Sequence, residues 1–100
     1  MLIYEVKLEF IDKTIYSSFL VWLKEHISIM LSFEGFDKAD LENNFKEKNT
    51  ILIKYHVKSE KDLNNYIYNH SEKMRSEGLK LFKNSFKASR KIYPLKKLKE

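Results

Sequence analysis

Residues 2–10, LIYEVKLEF, decide the fold, because apolar and charged side chains alternate along the stretch. The two faces consist of Leu2, Tyr4, Val6, Leu8 and Phe10 on one side and Glu5, Lys7 and Glu9 on the other. A period of two is typical of a β-strand with one buried face. Residues 51–57, ILIKYHV, alternate in a similar way, and weaker strand patterns cover residues 37–46 and 85–93.

Helical spacing fills the intervals between these strands. Apolar residues recur at steps of three and four from Ile15 to Met30, and we expect Gly35 to end this helix. A second helix is predicted to begin at Ser59 and to continue past Met74, where Gly78 interrupts or ends it.

The resulting order, β-α-β-β-α-β, predicts an α+β ferredoxin-like fold with a four-stranded antiparallel sheet and two helices on one face. Right-handed crossovers predict that the first and third strands are parallel neighbours at the sheet centre. We expect one domain over residues 1–94 and a basic tail at 95–100. The sheet face without helices is expected to pair with a second copy, as a homodimer.

Composition excludes several classes of function. The chain has no cysteine, which rules out disulfides, thiolate metal sites and a cysteine nucleophile. Residues 87–100 hold six basic side chains against one acidic side chain, and the first 86 residues are balanced. The start of the sequence is acidic and strand-like, so we expect no signal peptide, and no apolar run approaches the roughly 18 residues of a membrane span. We therefore expect a cytoplasmic protein with no membrane partner.

A set of short motifs spans nearly the whole chain: Ile3-Tyr4-Glu5-Val6, Trp22-Leu23-Lys24-Glu25-His26, Gly35-Phe36, Met74-Arg75-Ser76-Glu77-Gly78-Leu79 and Ser89-Arg90. In order and spacing these motifs resemble the small bacterial domain-of-unknown-function family 4286. The resemblance implies a ferredoxin-like fold paired as a dimeric α+β barrel, and it implies no activity.

Two histidines, His26 and His70, interrupt the apolar stripes of the predicted helices. Because both helices lie on one sheet face, the two imidazoles are expected at similar heights. One interpretation is a metal or acid–base site completed by Glu25, Glu72 or Glu77. The favoured interpretation is structural, with each ring hydrogen-bonded at the margin of the core. We therefore predict no metal site and no cofactor.

The open sheet face is the second candidate, since it is expected to present three charged residues of the first strand beside three of its neighbour: Glu5, Lys7 and Glu9 beside Lys54, His56 and Lys58. Cross-strand charge pairs that stabilise the sheet are the simpler explanation. If two subunits close their sheets into a barrel, the same side chains line a lumen. Such a lumen could bind a small polar or anionic ligand and move protons.

Two arginines, Arg90 and Arg75, have either a structural role or an anion-binding role. Arg90 shares a strand face with Phe86, Ala88 and Ile92, so its guanidinium is expected to face the helices. A structural clamp is favoured over an anchor for a substrate anion, although arginine suits both roles. Arg75 has the same alternatives, with an exposed ion pair at a helix end favoured.

Two functions remain open, and whether the protein is an enzyme is not decided. Specific nucleic-acid binding is disfavoured, because Glu5 and Glu9 on the open face would repel phosphate. The favoured function is a non-catalytic binding or structural module. The alternative is a small-molecule enzyme of the dimeric-barrel type, with His26, His70 or the lumen charges as acid–base groups and Arg90 as anchor.

Overall fold

The computed structural model describes residues 1–95 of the chain. The strands are β1 (Leu2–Phe10), β2 (Phe36–Asn44), β3 (Thr50–Val57) and β4 (Phe86–Pro94). The α-helices are α1 (Tyr16–Met30), α2 (Phe45–Lys48), α3 (Glu60–Asn69) and α4 (Ser71–Phe82). Short 3-10 turns at Lys13–Ile15 and Lys83–Ser85 precede α1 and β4.

The four strands form one sheet in the order β2-β3-β1-β4, and every neighbouring pair is antiparallel. This arrangement confirms the predicted α+β ferredoxin-like fold. The prediction that the first and third strands run parallel is wrong. A right-handed crossover joins β1 to β2, which run parallel, and β3 lies between them as the antiparallel partner of both.

A single hydrophobic core lies between the sheet and the main helices. Alternation in β1 and β3 directs apolar side chains to the helix side, including Tyr4, Leu8, Ile51, Ile53 and Tyr55. Helix α1 contributes Phe19, Leu23 and Met30, while α3 and α4 contribute Leu63, Tyr66 and Met74. Burial of these side chains, at about 1.5–3 kcal/mol each, is the main force that holds the helices on the sheet.

Helix α1 is preceded by a capped turn at Asp12 and ends before the glycine at position 35. Asp12 caps the turn before α1 by accepting a hydrogen bond from the Thr14 amide at 2.9 Å. Helix α1 ends at Met30, so the prediction that Gly35 ends it is wrong. Gly35 instead has a φ of 85° in the turn that leads into β2, a conformation that glycine adopts at low cost.

The second helical region consists of two helices rather than one. Ser59 caps α3 as predicted, and its Oγ accepts a hydrogen bond from the Asp62 amide at 3.1 Å. The region breaks at His70, whose φ of −130° lies outside the helical range. Gly78 lies buried inside α4, so the prediction that it interrupts or ends the helix is wrong.

The ends of the described chain meet at the sheet edge. Strand β4 ends at Pro94, and the Leu95 amide donates a hydrogen bond to the Met1 carbonyl at 3.0 Å. The basic tail predicted at 95–100 lies, apart from Leu95, outside the described residues. Among residues 1–95, no helix has the length and apolar character needed to cross a membrane.

Candidate functional site

The helix layer leaves the β4 edge of the sheet uncovered. Ala88, Arg90 and Ile92 lie on the helix-facing side of β4, opposite Leu8, Val6 and Tyr4 of β1 in the sheet register. All three β4 residues are nonetheless exposed, with Ile92 52% accessible. A space therefore opens between this edge strand and the helices above the centre of the sheet.

This space continues inward as a cavity of about 260 Å³. Its sheet side includes Tyr4, Val6, Tyr55, Phe86, Ala88 and Arg90. Its helix side includes Trp22, His26, Tyr66, Arg75, Gly78 and Leu79. Leu79, Ala88 and Arg90 are exposed, which places the opening of the cavity between α4 and β4.

Arg75 enters the cavity wall from α4. Its Nη2 donates a hydrogen bond of 3.1 Å to the Tyr4 hydroxyl, and its Nε is buried without a hydrogen-bond partner among residues 1–95. The favoured prediction of an exposed ion pair at a helix end is therefore wrong. Residue 75 shares a face of α4 with the buried positions Ser71 and Gly78, which lie four and three residues away. One guanidinium nitrogen is held by the protein, and another has unfilled donor capacity.

His26 lines the same cavity from α1. Its ring stacks on Trp22 with centroids 4.5 Å apart, and its Nδ1 is buried with no hydrogen-bond partner in the described part of the chain. Burial lowers the pKa of His26, the Glu77 carboxylate opposes this shift, and the Arg90 guanidinium adds to it. The imidazole is therefore neutral near pH 7, and one ring nitrogen can accept a proton.

Tyrosine hydroxyls add further polar groups to the cavity. Tyr4 lies between the rings of Tyr55 and Tyr66, with centroid distances of 6.1 and 5.8 Å. Burial raises the pKa of both Tyr55 and Tyr66, so these hydroxyls stay protonated across the physiological range. Protonated hydroxyls can donate hydrogen bonds to an acceptor in the cavity.

The charged side chains that line the cavity within residues 1–95 are all basic. Its lining within residues 1–95 contains Arg75 and Arg90 but no aspartate or glutamate. Over the same residues, the one side-chain ion pair within 4.0 Å joins His56 and Asp40 on another part of the sheet. Neither guanidinium has a carboxylate partner there, so the cavity is suited to an anion. The prediction that Arg90 faces the helix side matches its register opposite Val6.

His70 lies away from this cavity. Its ring stacks on Phe33 with centroids 4.5 Å apart, and it is not part of the cavity lining. The break between α3 and α4 occurs at His70, so this residue does not continue the stripe that the sequence suggested. Residues 1–95 contain no group of three histidine, aspartate or glutamate side chains placed to hold a metal ion.

The open sheet face carries the other predicted residues. Glu5 pairs in register with Lys54 and Lys91, and Lys7 and Glu9 follow at alternate positions along β1. Partial burial and a hydrogen bond of 2.8 Å to Glu5 raise the pKa of Tyr93 to about 12. This face thus carries charged side chains paired across neighbouring strands. The buried polar atoms without a hydrogen-bond partner lie elsewhere in the described residues.

His56 occupies one end of that open face. Only 8% of the residue is exposed, and its Nε2–H donates a hydrogen bond of 2.8 Å to Asp40. This bond lowers the pKa of Asp40. His56 therefore has a structural partner within its own chain.

The family model described as "Domain of unknown function (DUF4286)" matches residues 1–96. The chain belongs to this family. No curated protein matches the DUF4286 chain.

Solved structures share the DUF4286 fold at low sequence identity. A variant of SnoaB, a cofactor-independent oxygenase from Streptomyces nogalater, has 6% identity and a TM-score of 0.76, covering 97% of this chain and 94% of that chain. A conserved protein from Methanosarcina mazei Go1 has 17% identity and a TM-score of 0.71, with coverages of 96% and 94%. A candidate antibiotic biosynthesis monooxygenase from Deinococcus radiodurans has 15% identity and a TM-score of 0.70, with coverages of 100% and 97%. At these identities the matches show the fold alone.

Sequence reasoning missed the cavity of this DUF4286 chain and three of its residues. In the sequence, alternation places Tyr4 only on the buried face of a strand, helical spacing places Gly78 only at a helix end, and Trp22 stands only within a short motif. A signal for the last two existed in the sequence, since a glycine within a helical stripe often accommodates a large side chain on a neighbouring element. The spacing alone did not show that Gly78 faces Trp22.

Proposed function

We propose that this DUF4286 chain is a dimeric small-molecule binding protein whose ligand occupies the cavity between the helices and the sheet. The observation that carries the proposal is the pair of buried, unpartnered polar atoms, His26 Nδ1 and Arg75 Nε, in side chains that line one cavity. Buried polar atoms are almost always hydrogen-bonded, so two exceptions at one cavity indicate a partner that the protein alone does not supply.

The size of the cavity supports the same proposal. Its volume of about 260 Å³ exceeds the about 150 Å³ of an engineered apolar cavity that takes benzene. Its lining is mostly aromatic and aliphatic with a few polar groups, which is the usual composition of ligand sites. A purely structural module would be expected to fill this volume with side chains, because protein interiors are close-packed.

The dimer would form through the open sheet face. One row of side chains in register crosses the four strands with alternating charge. From β2 to β4 it consists of Asp40, Lys54, Glu5 and Lys91. In a two-fold symmetric dimer, the acidic side chains of one subunit can face the basic side chains of the other. The face is therefore compatible with self-association. We propose that this pairing covers the sheet of the single domain formed by residues 1–94. The absence of cysteine fits the cytoplasmic location that we also propose.

Blocking the cavity tests the proposed function. Ala88→Phe places a ring at the opening, and Ile92→Phe is the matched control on the same strand face outside the lining. Calorimetric titration with 2-naphthoate and 2-naphthalenemethanol should show binding to wild type and to Ile92→Phe, and none to Ala88→Phe. Binding that persists in Ala88→Phe, or binding of neither probe to wild type at millimolar concentration, would contradict the proposal.

An enzyme that acts on the same ligand is the second candidate, and His26 favours it. A neutral imidazole with a free nitrogen can remove a proton, and the nearby guanidinium groups can stabilise the resulting anion. SnoaB, which shares the fold, is a cofactor-independent oxygenase, so this fold can carry chemistry without a cofactor. For this chain, His26 would act as the general base and Arg90 as the anchor.

Proton exchange tests this second candidate. 2-Tetralone in D₂O carries acidic carbon-bound hydrogens whose exchange can be followed by NMR. Wild type should accelerate the exchange and His26→Gln should not, while His70→Gln should match wild type because His70 lies outside the cavity lining. Equal rates for wild type and His26→Gln would contradict a catalytic role for His26.

A further inference from the structure

The cavity lining combines a few polar groups with a largely apolar wall, and the two differ in what they can bind. Arg75, Arg90 and the Tyr4 hydroxyl provide donors, whereas most of the remaining wall is carbon, from side chains such as Leu8, Phe19, Trp22, Met74 and Phe86. A ligand that satisfies both parts needs one anionic group attached to an apolar body. An inorganic anion would leave the apolar wall empty, and a hydrocarbon would leave the guanidinium groups unpaired.

We infer that the cavity binds an aromatic carboxylate, with the carboxylate between Arg75 and Arg90 and the ring against Trp22. This inference rests on the proposed function, and it adds the chemical class of the ligand and the role of each residue. Arg75 is the half-buried anchor, and Arg90 is the exposed anchor at the cavity opening.

The set of donors in the cavity lining favours a carboxylate over a phosphate. A planar guanidinium pairs side by side with a planar carboxylate through two hydrogen bonds, and the guanidinium of Arg75 donates to the Tyr4 hydroxyl through Nη2. The lining within residues 1–95 contains no lysine, serine or threonine, which phosphate sites use to reach the additional oxygens. The protonated hydroxyls of Tyr55 and Tyr66 can add single donors at the inner end.

The aromatic ring of the proposed ligand is inferred from the aromatic side chains that line the cavity. Trp22 is fixed between His26, which stacks on it, and Gly78, which leaves room for the indole on α4. Phe19 and Phe86, with centroids 5.1 Å apart, extend the aromatic surface towards β4. Flat rings of this kind pack favourably against a flat ligand in offset or edge-to-face arrangements.

Calorimetry with a matched pair of probes tests the inference. 2-Naphthoate and 2-naphthalenemethanol share their rings and differ in charge. Wild type should bind 2-naphthoate at least about ten-fold more tightly than the alcohol, which is the loss expected when a hydrogen bond to a charged group is removed. Arg90→Gln should weaken 2-naphthoate by about ten-fold and leave the alcohol unchanged.

Two further variants complete the experiment. Arg75→Gln should act in the same way as Arg90→Gln. Because Arg75 also contacts Tyr4, the exposed Arg90 keeps the test valid if Arg75→Gln fails to fold. Lys80→Gln removes the same charge from an exposed position on α4 and should bind like wild type. Equal affinity for both probes, with both lost in Ala88→Phe, would overturn the carboxylate inference and leave the cavity proposal standing. An equal loss in Lys80→Gln would overturn the assignment of the arginines.

Discussion

Gly78 of α4 lies directly against the indole ring of Trp22 on α1. A Cβ atom at position 78 would stand 2.9 Å from Cη2 of Trp22, closer than real Cβ contacts allow. The indole cannot retreat freely, because Phe19, His26 and Phe82 also contact its ring system. This contact fixes the spacing of the two helices and one wall of the cavity.

Substituting Gly78 should therefore disturb both packing and binding. Gly78→Ala gains about 1 kcal/mol of helix propensity and incurs an overpacking cost of about 1–3 kcal/mol. We expect a net loss of up to about 2 kcal/mol in the free energy of unfolding, measured by urea denaturation. The emission of Trp22, the single tryptophan, should shift as its ring moves. Increased stability with an unchanged emission spectrum would show that the contact does not constrain the ring.

Gly35 should tolerate a side chain poorly. Its φ of 85° disfavours a side chain, and a Cβ there would collide with the Asp62 side chain beside the α3 cap. We expect Gly35→Ala to lower the free energy of unfolding by at least about 1–2 kcal/mol. Asn49→Gly is the matched control, since Asn49 has a φ of 55° and glycine should be neutral or favourable there. Equal losses in the two variants would refute this explanation.

The pH dependence of stability should report the burial of His26. Burial lowers its pKa in the folded chain below the ordinary value of 6.5, so the unfolded chain takes up the proton first as the pH falls. The contribution of the neutral ring is thus complete above about pH 6.5 and is lost as the pH falls through the folded pKa. The loss should be about 1.4 kcal/mol per pH unit between the two pKa values.

His26→Gln isolates this effect, because the other titrating groups remain in both proteins. Urea denaturation of each protein from pH 8 to pH 5 gives the difference in the free energy of unfolding. This difference should be constant above pH 7 and should decline below pH 6.5. A difference that stays constant over the whole range would show that His26 titrates normally.

Dimer formation should depend on the open sheet face. Leu52 lies on this face between Lys7 of β1 and Glu42 of β2, so Leu52→Glu would replace an apolar contact with a desolvated carboxylate in a sheet-to-sheet interface. Leu41→Glu places the same charge on the helix-facing side of edge strand β2 and is the control. Sedimentation at micromolar concentration should give twice the 12.1 kDa chain mass for wild type and Leu41→Glu, and a monomer for Leu52→Glu. A monomeric wild type would refute the dimer.

The sequence predicted those features that depend on local periodicity. Alternation in β1 and β3 and the cap at Ser59 are local patterns, and each gave the correct element. The direction of β3 relative to β1 depends on the whole chain path, and the break at His70 depends on how α3 and α4 each fit the sheet. Neither can be derived from the spacing of apolar residues.

The candidate site was only partly predictable for a related reason. The alternation of β4 placed Arg90 on the helix side, which the register confirms. The cavity itself arises because the helices cover β1 and β3 and leave β4 open, a property of three elements packed together. Arg75 was misassigned because its neighbours in space, Tyr4 and the cavity, are remote in sequence.

Methyl NMR of the methionines tests the central claim most directly. The chain has three methionines, of which Met30 and Met74 line the cavity and Met1 is exposed outside it. In a titration of ¹³C-methyl-labelled protein with 2-naphthoate, the Met30 and Met74 resonances should shift and saturate together while Met1 stays unchanged. If saturating 2-naphthoate leaves Met30 and Met74 in place, or shifts Met1 equally, the cavity is not the ligand site.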